Sequence, residues 1–376
     1  MSVVEKLKLH NFRCFTQAVL HDLQSGFVVL WGANGVGKTN ILEALSLLAP
    51  GRGLRAARVG DIQNNMIDEP WAVFAHVHGV YGGAVRIGTG LDPASRLGKE
   101  KRSVRINGKA ARSQAALGQY LSCVWLTPQM DRLFIDSGRE RRKFLDRLVF
   151  SFDPGHSGRV IRYENALSQR SKLLREGYED ESWLSALEQQ MAETAGAIAA
   201  ARLDYVQRLQ AACEAADDAV FPRARIWVKG FVEESLAQAD ISALAVEERF
   251  KKILAGSRQR DALTGGAQDG PHKSDLMVVY NAKNMVADQC STGEQKALLI
   301  GLILAHARLI KAEQGAAPLL LLDEVAAHLD EHRRAALYDI LGALGAQCWL
   351  TGTEEQLFSD IRKQAQFFDV AALKAY

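Results

Sequence analysis

The sequence predicts an α/β protein whose strand–helix core is divided between the two ends of the chain, with a mostly helical segment inserted between them. Three observations predict this. A continuous apolar run at 26–31 leads through a glycine-rich turn into a helical pattern at 38–48. Residues 139–213 form long helix-like stretches with few breakers. From about Gly265 strand and helix alternate again, which argues for a parallel or mixed sheet.

Taken in order, Leu7 and Leu9 alternate with Lys6 and Lys8, a half-buried strand. The helix after the turn presents Ile41, Leu42, Leu45 and Leu48 at helical spacing. Residues 71–77 alternate as a strand, and Val104 and Ile106 lead into Asn107-Gly108, a hairpin turn signal. Residues 123–127 are a further short strand. Helices are expected over 139–150, 162–175 and 182–213, interrupted later by a β-like stretch at 225–228. Glycines 265, 266 and 270 with Pro271 suggest a linker. Strands at 275–281, 318–322 and 347–351 then enclose helices at 291–311 and 329–341. The expected organisation is a head from residues 1–138 and 265–376 and a helical arm from 139–264.

Composition narrows the function. The 376 residues are 48% hydrophobic and 24% charged, which excludes wholesale disorder. Lys+Arg 46 against Asp+Glu 44 leaves +2, so binding to nucleic acid must come from a local patch. The longest apolar stretches fall far short of the ~20 residues of a membrane helix, so no membrane partner is expected. Five scattered cysteines without metal spacing fit a reducing cytoplasm.

Gly32-Ala33-Asn34-Gly35-Val36-Gly37-Lys38-Thr39 matches G-x-x-x-x-G-K-[ST] between a strand and a helix, as a phosphate-binding loop requires. A random chain of this length shows the pattern about once in a hundred, so chance is a poor explanation. Turned amides and the helix start point at phosphate, Lys38 adds a point charge, and Thr39 offers a hydroxyl to Mg²⁺. These features make a nucleotide the expected cofactor, together with Mg²⁺.

Asp323-Glu324 ends the apolar run 319–322, where α/β sheets place ligands. Asp323 is suited to hold Mg²⁺ through water, and Glu324 to orient or polarise the attacking water. A solvated acidic cap at a strand end is the plainer alternative. Ser291-Thr292-Gly293-Glu294-Gln295 opens an apolar helix and reads locally as a capping box. It also resembles the S-G-G-Q signature of ABC-type ATPases, which meets a γ-phosphate held by a second subunit. It departs from that signature by Thr292 and by the added Glu294.

A wider resemblance spans nearly the whole chain. Leu7-x-Leu9-x-Asn11-Phe12-Arg13-x-Phe15 is followed by the phosphate loop, Pro128, and Arg141-Arg142-x-Phe144-Leu145-Asp146. Tyr163-x-x-Ala166-Leu167-x-Gln169-Arg170, Gly270-Pro271-His272-Lys273-x-Asp275 and Ser291-x-Gly293-x-Gln295 continue the series. Together they resemble the RecF family of bacterial recombination mediators. The resemblance implies an ABC/SMC-type P-loop ATPase head with a short helical arm, an ATP-dependent homodimer, and ATP-dependent binding to single-stranded, gapped or duplex DNA. It implies slow hydrolysis, and work with RecO and RecR to load RecA during replication-linked repair. Gln129 falls where ABC heads carry a metal-sensing glutamine, and a surface loop residue is the alternative. The strand end that often carries His reads Thr351-Gly352-Thr353, whose hydroxyls can contact phosphate but cannot serve as a base near neutral pH.

Three basic groups stand out: Arg139, Lys143 and Arg147; Arg102, Arg105, Lys109 and Arg112; Lys251, Lys252, Arg258 and Arg260. Each by itself is explained by a solvated face, and phosphate contacts would make binding salt-sensitive and sequence-independent. No zinc finger, helix-turn-helix signature or aromatic–basic RNA motif is evident. The expected function is a nucleotide-switched DNA-binding ATPase. The alternatives are the ATPase subunit of a transporter, which does not need the inserted helices, and a non-hydrolysing scaffold, in which Glu324 would have no water to orient.

Overall fold

The computed structural model describes residues 2–64, 66–78, 83–95, 100–177, 180–216, 220–238 and 240–374. The chain divides into two compact units, 1–130 with 307–376, and 131–306. Residues 131–138 and 265–306, expected in the head, thus lie in the second unit.

In the first unit, β1 (Val3–Phe12), β2 (Phe15–Leu20), β3 (Phe27–Trp31), α1 (Lys38–Ser46), β4 (Ala72–His78), β5 (Ala84–Leu91), β6 (Arg102–Ile106), β7 (Lys109–Ala110) and β8 (Cys123–Leu126) follow in order. Strands β2-β1-β4-β5-β6-β7 form an antiparallel sheet. Its inward residues alternate, with Leu7, Leu9, Val73, Ala75 and Val77 buried, as a sheet with one wet face demands. Asn107 and Gly108 both have positive φ (51° and 81°) between paired Ile106 and Lys109, the two-residue turn that the Asn-Gly signal predicted.

The second unit holds α2 (Gly138–Phe150), α3 (His156–Arg175), α4 (Glu181–Glu214), β9 (Ala224–Lys229), α5 (Phe231–Leu236), α6 (Ala243–Gly256), α7 (Arg258–Thr264), β10 (Asp275–Tyr280) and β11 (Met285–Val286). Helix α8 (Thr292–Gln314) runs on into the first unit's segment, followed by β12 (Leu319–Leu322), α9 (Glu331–Leu344), β13 (Cys348–Gly352) and β14 (Ala365–Asp369). Strands β14-β3-β13-β12-β8 form an all-parallel sheet. Leu319 to Leu322 are all buried, which explains why β12 reads as an unbroken apolar run. Residues from both sheets of the first unit and from α1 share one core, including Leu7, Phe12, Leu30, Leu42, Trp71, Leu321 and Trp349.

Arg102 does not join a surface patch with Arg105, Lys109 and Arg112. Its guanidinium donates to the carbonyls of Leu47 (2.6 Å) and Gly51 (2.6 Å) and to Thr89 Oγ1 (2.8 Å). Burial lowers its pKa to about 10. The carbonyls just past α1 would otherwise lack donors. Arg102→Met should therefore lower unfolding stability by about 2–4 kcal/mol, since three acceptors lose a donor. The check is a fall in the urea midpoint at unchanged m-value; an unmoved midpoint would mean that water replaces the side chain.

In the second unit α3, α4 and α6 pack through Tyr163, Met191, Ala195, Val246 and Phe250. Asp180 starts α4 by accepting from the amides of Ser182 and Trp183. Two fully enclosed cations tie the unit together. Arg170 binds Glu188 (2.9 Å), Asp261 (2.9 Å) and the Leu254 carbonyl (2.6 Å). Arg202 binds Asp146, Glu233 and the Pro271 carbonyl. Burial alone would raise the Asp146 pKa; the hydrogen bonds from His156 and Arg202 outweigh it and bring it down to about 2. Tyr163 Oη and His272 Nδ1 lie 2.8 Å apart, and a side chain at Gly270 (φ 128°) would strike the Tyr163 hydroxyl. Arg141 clasps Asp275 with two bonds (2.7 and 2.6 Å). Many residues that carry the family resemblance are thus structural ties.

Candidate nucleotide site

Strand β3, buried along Phe27–Leu30, delivers the loop 32–37 to the start of α1. Gly32, Gly35 and Gly37 have φ of 139°, 83° and 113°, which turns the loop back on itself. Gly37 is constrained twice, because a Cβ there would lie 2.6 Å from Cys14 Sγ and 2.8 Å from the Phe15 ring. Lys38 is buried, and its Nζ donates to the carbonyls of Gly32 (2.8 Å) and Ala33 (3.1 Å). Burial lowers the Lys38 pKa, while Glu324 and Asp323 oppose that fall. Ala33, Asn34 and Gly35 are exposed at the loop tip, with Val36 half-buried.

The parallel register supplies the facing carboxylates. Leu322 pairs with Leu350 on β13 and with Leu126 on β8, so Asp323 stands beside Thr351 at the carboxyl end of the sheet. Thr39 Oγ1 donates to Asp323 (2.9 Å to Oδ2), and Thr351 Oγ1 donates to Asp323 Oδ1 (2.8 Å). Burial raises the Asp323 pKa, and the two hydroxyls counter it. The Glu324 amide donates to Thr351 Oγ1 (2.8 Å), and Glu324 has φ 52°, a left-handed conformation that costs a non-glycine residue of order 1 kcal/mol. Thr351 therefore organises the acidic pair, a role the sequence did not reveal because it depends on pairing across the sheet. Thr353 is exposed.

Gln129 lies exposed in the turn Pro128–Arg132, three residues beyond Leu126 of β8. Nearby, Glu43 of α1 is buried between Arg13 (2.6 Å) and Arg55 (2.9 Å), two residues whose placement by the loop was not foreseen. The loop fits a phosphate chain, with its turned backbone and a buried ammonium. Thr39 and Asp323 bring together hard oxygen donors of the kind Mg²⁺ takes. No group of three His, Cys, Asp or Glu occurs among the described residues, so such an ion would complete its shell with water and phosphate.

The Ser291 segment belongs to the second unit. Its capping box is formed: Glu294 Oε2 accepts from the Ser291 amide (2.9 Å) and hydroxyl (2.9 Å), and the Glu294 amide donates to Ser291 Oγ (3.4 Å). Lys283 pairs with Glu294; this bond and those from Ser291 bring the Glu294 pKa down to about 2. Ser291 and Gly293 are exposed. Gln295 is turned inward, and its amide nitrogen donates to the Cys290 carbonyl (2.9 Å).

The basic groups divide on inspection. Arg258 and Arg260 are engaged by Glu188 and Asp261, Lys143 by Glu140, and Arg147 lies over the Phe144 ring.

Residues 3–373 match the family described as the RecF/RecN/SMC N-terminal domain. The chain belongs to the RecF family. It is 49% identical over 368 residues to the DNA replication and repair protein RecF of Mesorhizobium japonicum, covering 98% of this chain and 96% of that one. The protein of the same name from Rhizobium etli is 45% identical, with 99% and 98% covered. Among solved structures, the recombination mediator protein RecF with ATPrS in the RecFOR pathway has a TM-score of 0.83 at 23% identity, over 98% of this chain and 97% of that one. An Smc head domain with extended coiled coil from Pyrococcus furiosus has a TM-score of 0.51 at 17% identity, over 96% and 92%. This chain thus has the ABC/SMC-type ATPase head fold that its motifs implied. No helix among the described residues is long and apolar enough to cross a membrane.

Proposed function

We propose that this chain is an ATP-dependent DNA-binding ATPase of replication-linked DNA repair. It closes into a homodimer on ATP and reopens after slow hydrolysis. The observation that carries the reading is the junction of Thr39, Asp323 and Thr351, which joins the phosphate loop to the acidic strand tip across 284 positions of sequence. In this reading the backbone of residues 32–37, with Lys38 and Thr39, holds the triphosphate. Thr39 and Asp323 hold Mg²⁺, with Gln129 near the same edge. Mg²⁺, when bound, neutralises charge on the phosphates. Glu324 orients the attacking water and takes its proton.

The Ser291 helix start, with Ser291, Gly293 and Gln295, serves the nucleotide held by a second copy, and twofold symmetry makes two equivalent sites. The exposure of Ser291 and Gly293 supports this role. The inward Gln295 supports it by fixing the turn before the helix. The ATPase head in this sense draws on 1–138 and 265–376, with 139–264 as the arm. Contacts to the γ-phosphate favour the closed pair, and hydrolysis removes them.

DNA, single-stranded, gapped or duplex, is the macromolecular ligand. RecO and RecR are the protein partners, and loading of RecA is the outcome. A solved relative is described with ATP in the RecFOR pathway, which supports the nucleotide and these partners. The five cysteines form no disulfide among the described residues, which suits a cytoplasmic setting.

The test is a titration of duplex, single-stranded and gapped DNA with and without ATP, alongside a mass measurement. Binding and dimerisation should both require ATP. Ser291→Arg should keep ATP affinity within about twofold yet prevent pairing, because a long cation fills the helix start. A normal ATP-driven dimer in that variant would remove the cross-subunit role.

A further inference from the structure

The stretch 225–228, which reads from sequence only as a β interruption, is the core of β9, an edge strand of the sheet β11-β10-β9. Ala224, Ile226 and Val228 are buried, while Arg223, Arg225, Trp227 and Lys229 are exposed at every second position. One face of one strand thus carries three cations and an indole, spaced about 6.7 Å apart along the chain. The Arg225 guanidinium lies 5.8 Å from the Trp227 ring centroid and donates to Asn284 Oδ1 (3.2 Å). Across the sheet, Met277 pairs with Trp227 and extends the apolar floor.

The acidic neighbour does not cancel this charge. Asp275 pairs with Lys229 in register, but Arg141 clasps its carboxylate. Residues 223–229 contain no acidic side chain. Cations on an edge strand commonly serve to prevent strand pairing. That explanation is incomplete here, because Gln210 already engages the free edge through the Ile226 amide (2.8 Å), and a 38% exposed tryptophan invites association.

We infer that the β9 face is a docking surface for single-stranded DNA, with Trp227 as a stacking platform and Arg223, Arg225 and Lys229 along the phosphates. Stacking needs a base whose face is free, which a duplex does not offer. The positive face suits the polyanion, and phosphate contacts beside a stacked base, whose π-face every base offers, suit binding without sequence preference. The inference rests on the DNA-binding reading above and deepens it by naming where the strand lies.

The experiment uses the full chain with ATP and Mg²⁺, labelled oligo(dT) and a duplex of equal length, read by fluorescence anisotropy. Trp227→Ala should weaken oligo(dT) binding roughly 5- to 100-fold, the loss of one stacked base. Trp227→Phe should retain most of the affinity. The pair Arg225→Ala with Lys229→Ala should reduce the salt slope by about 1.4. DNA-free ATP hydrolysis and ATP-driven dimerisation should be unchanged in all of them. If the wild type binds and the variants bind oligo(dT) equally well, this surface is wrong and the DNA-binding reading stands. If the wild type binds no DNA with ATP, both fall. Loss of dimerisation in the variants, or weakening confined to duplex, overturns the inference, because the face then meets a second copy or a helix.

Discussion

Lys38→Ala should abolish ATP-dependent dimerisation and weaken ATP binding by about 10- to 100-fold or more. The ammonium bonds the Gly32 and Ala33 carbonyls, so it braces the loop and also presents charge to its mouth. Charge-assisted bonds to phosphate contribute about 1.5–3 kcal/mol each, which sets the lower bound on the loss. A second effect adds to it. Asp323 and Glu324 oppose the fall in the Lys38 pKa, so they feel its charge, and its removal leaves two carboxylates facing an incoming tetra-anion. Nucleotide titration and light scattering with ATP measure both consequences. Dimerisation at the wild-type ATP concentration would remove the loop from the proposed site. The fold should survive the substitution, because the loop's φ angles are set by its glycines and by Gly37 packing on Cys14 and Phe15.

What the sequence made legible follows physical locality. A phosphate loop must be contiguous, because neighbouring amides have to converge on one anion, so residues 32–39 declare themselves. A central parallel strand is buried on both faces, so Leu319 to Leu322 and the acidic tip do too. Roles that depend on cross-sheet register were hidden. Thr351 meets Asp323 only because β12 and β13 pair as they do, and Arg102 reads as a solvated cation until its reach to the α1 carbonyls is seen. Strand β14 escaped because an edge strand that is half-buried along its whole length shows no period. Helices α6 and α7 were covered only by a general helical expectation for the insertion. The β9 stripe was visible as letters, but which side of the strand faced solvent was not.

Glu324→Gln should retain ATP binding and accumulate the ATP-bound dimer, with hydrolysis falling about 10²- to 10⁴-fold, the usual contribution of a general base. The choice between the adjacent carboxylates rests on their surroundings. Asp323 receives hydroxyl bonds from Thr39 and Thr351 and is buried, so its carboxylate is fixed in place, as the proposed cation-holding role requires. Glu324 is half-buried, and its side chain is aimed by a left-handed backbone that the Thr351 hydroxyl pins through the Glu324 amide. Strain of this kind persists only where surrounding bonds over-determine it, and here they set the carboxylate's direction. Glutamine keeps the length and shape but accepts no proton, so binding and closure survive while water activation does not. Single-turnover hydrolysis and mass measurement in the same ATP-loaded sample separate the two. Hydrolysis at the wild-type rate would move the base elsewhere, and failure to bind ATP would mean that Glu324 supports the loop rather than the water.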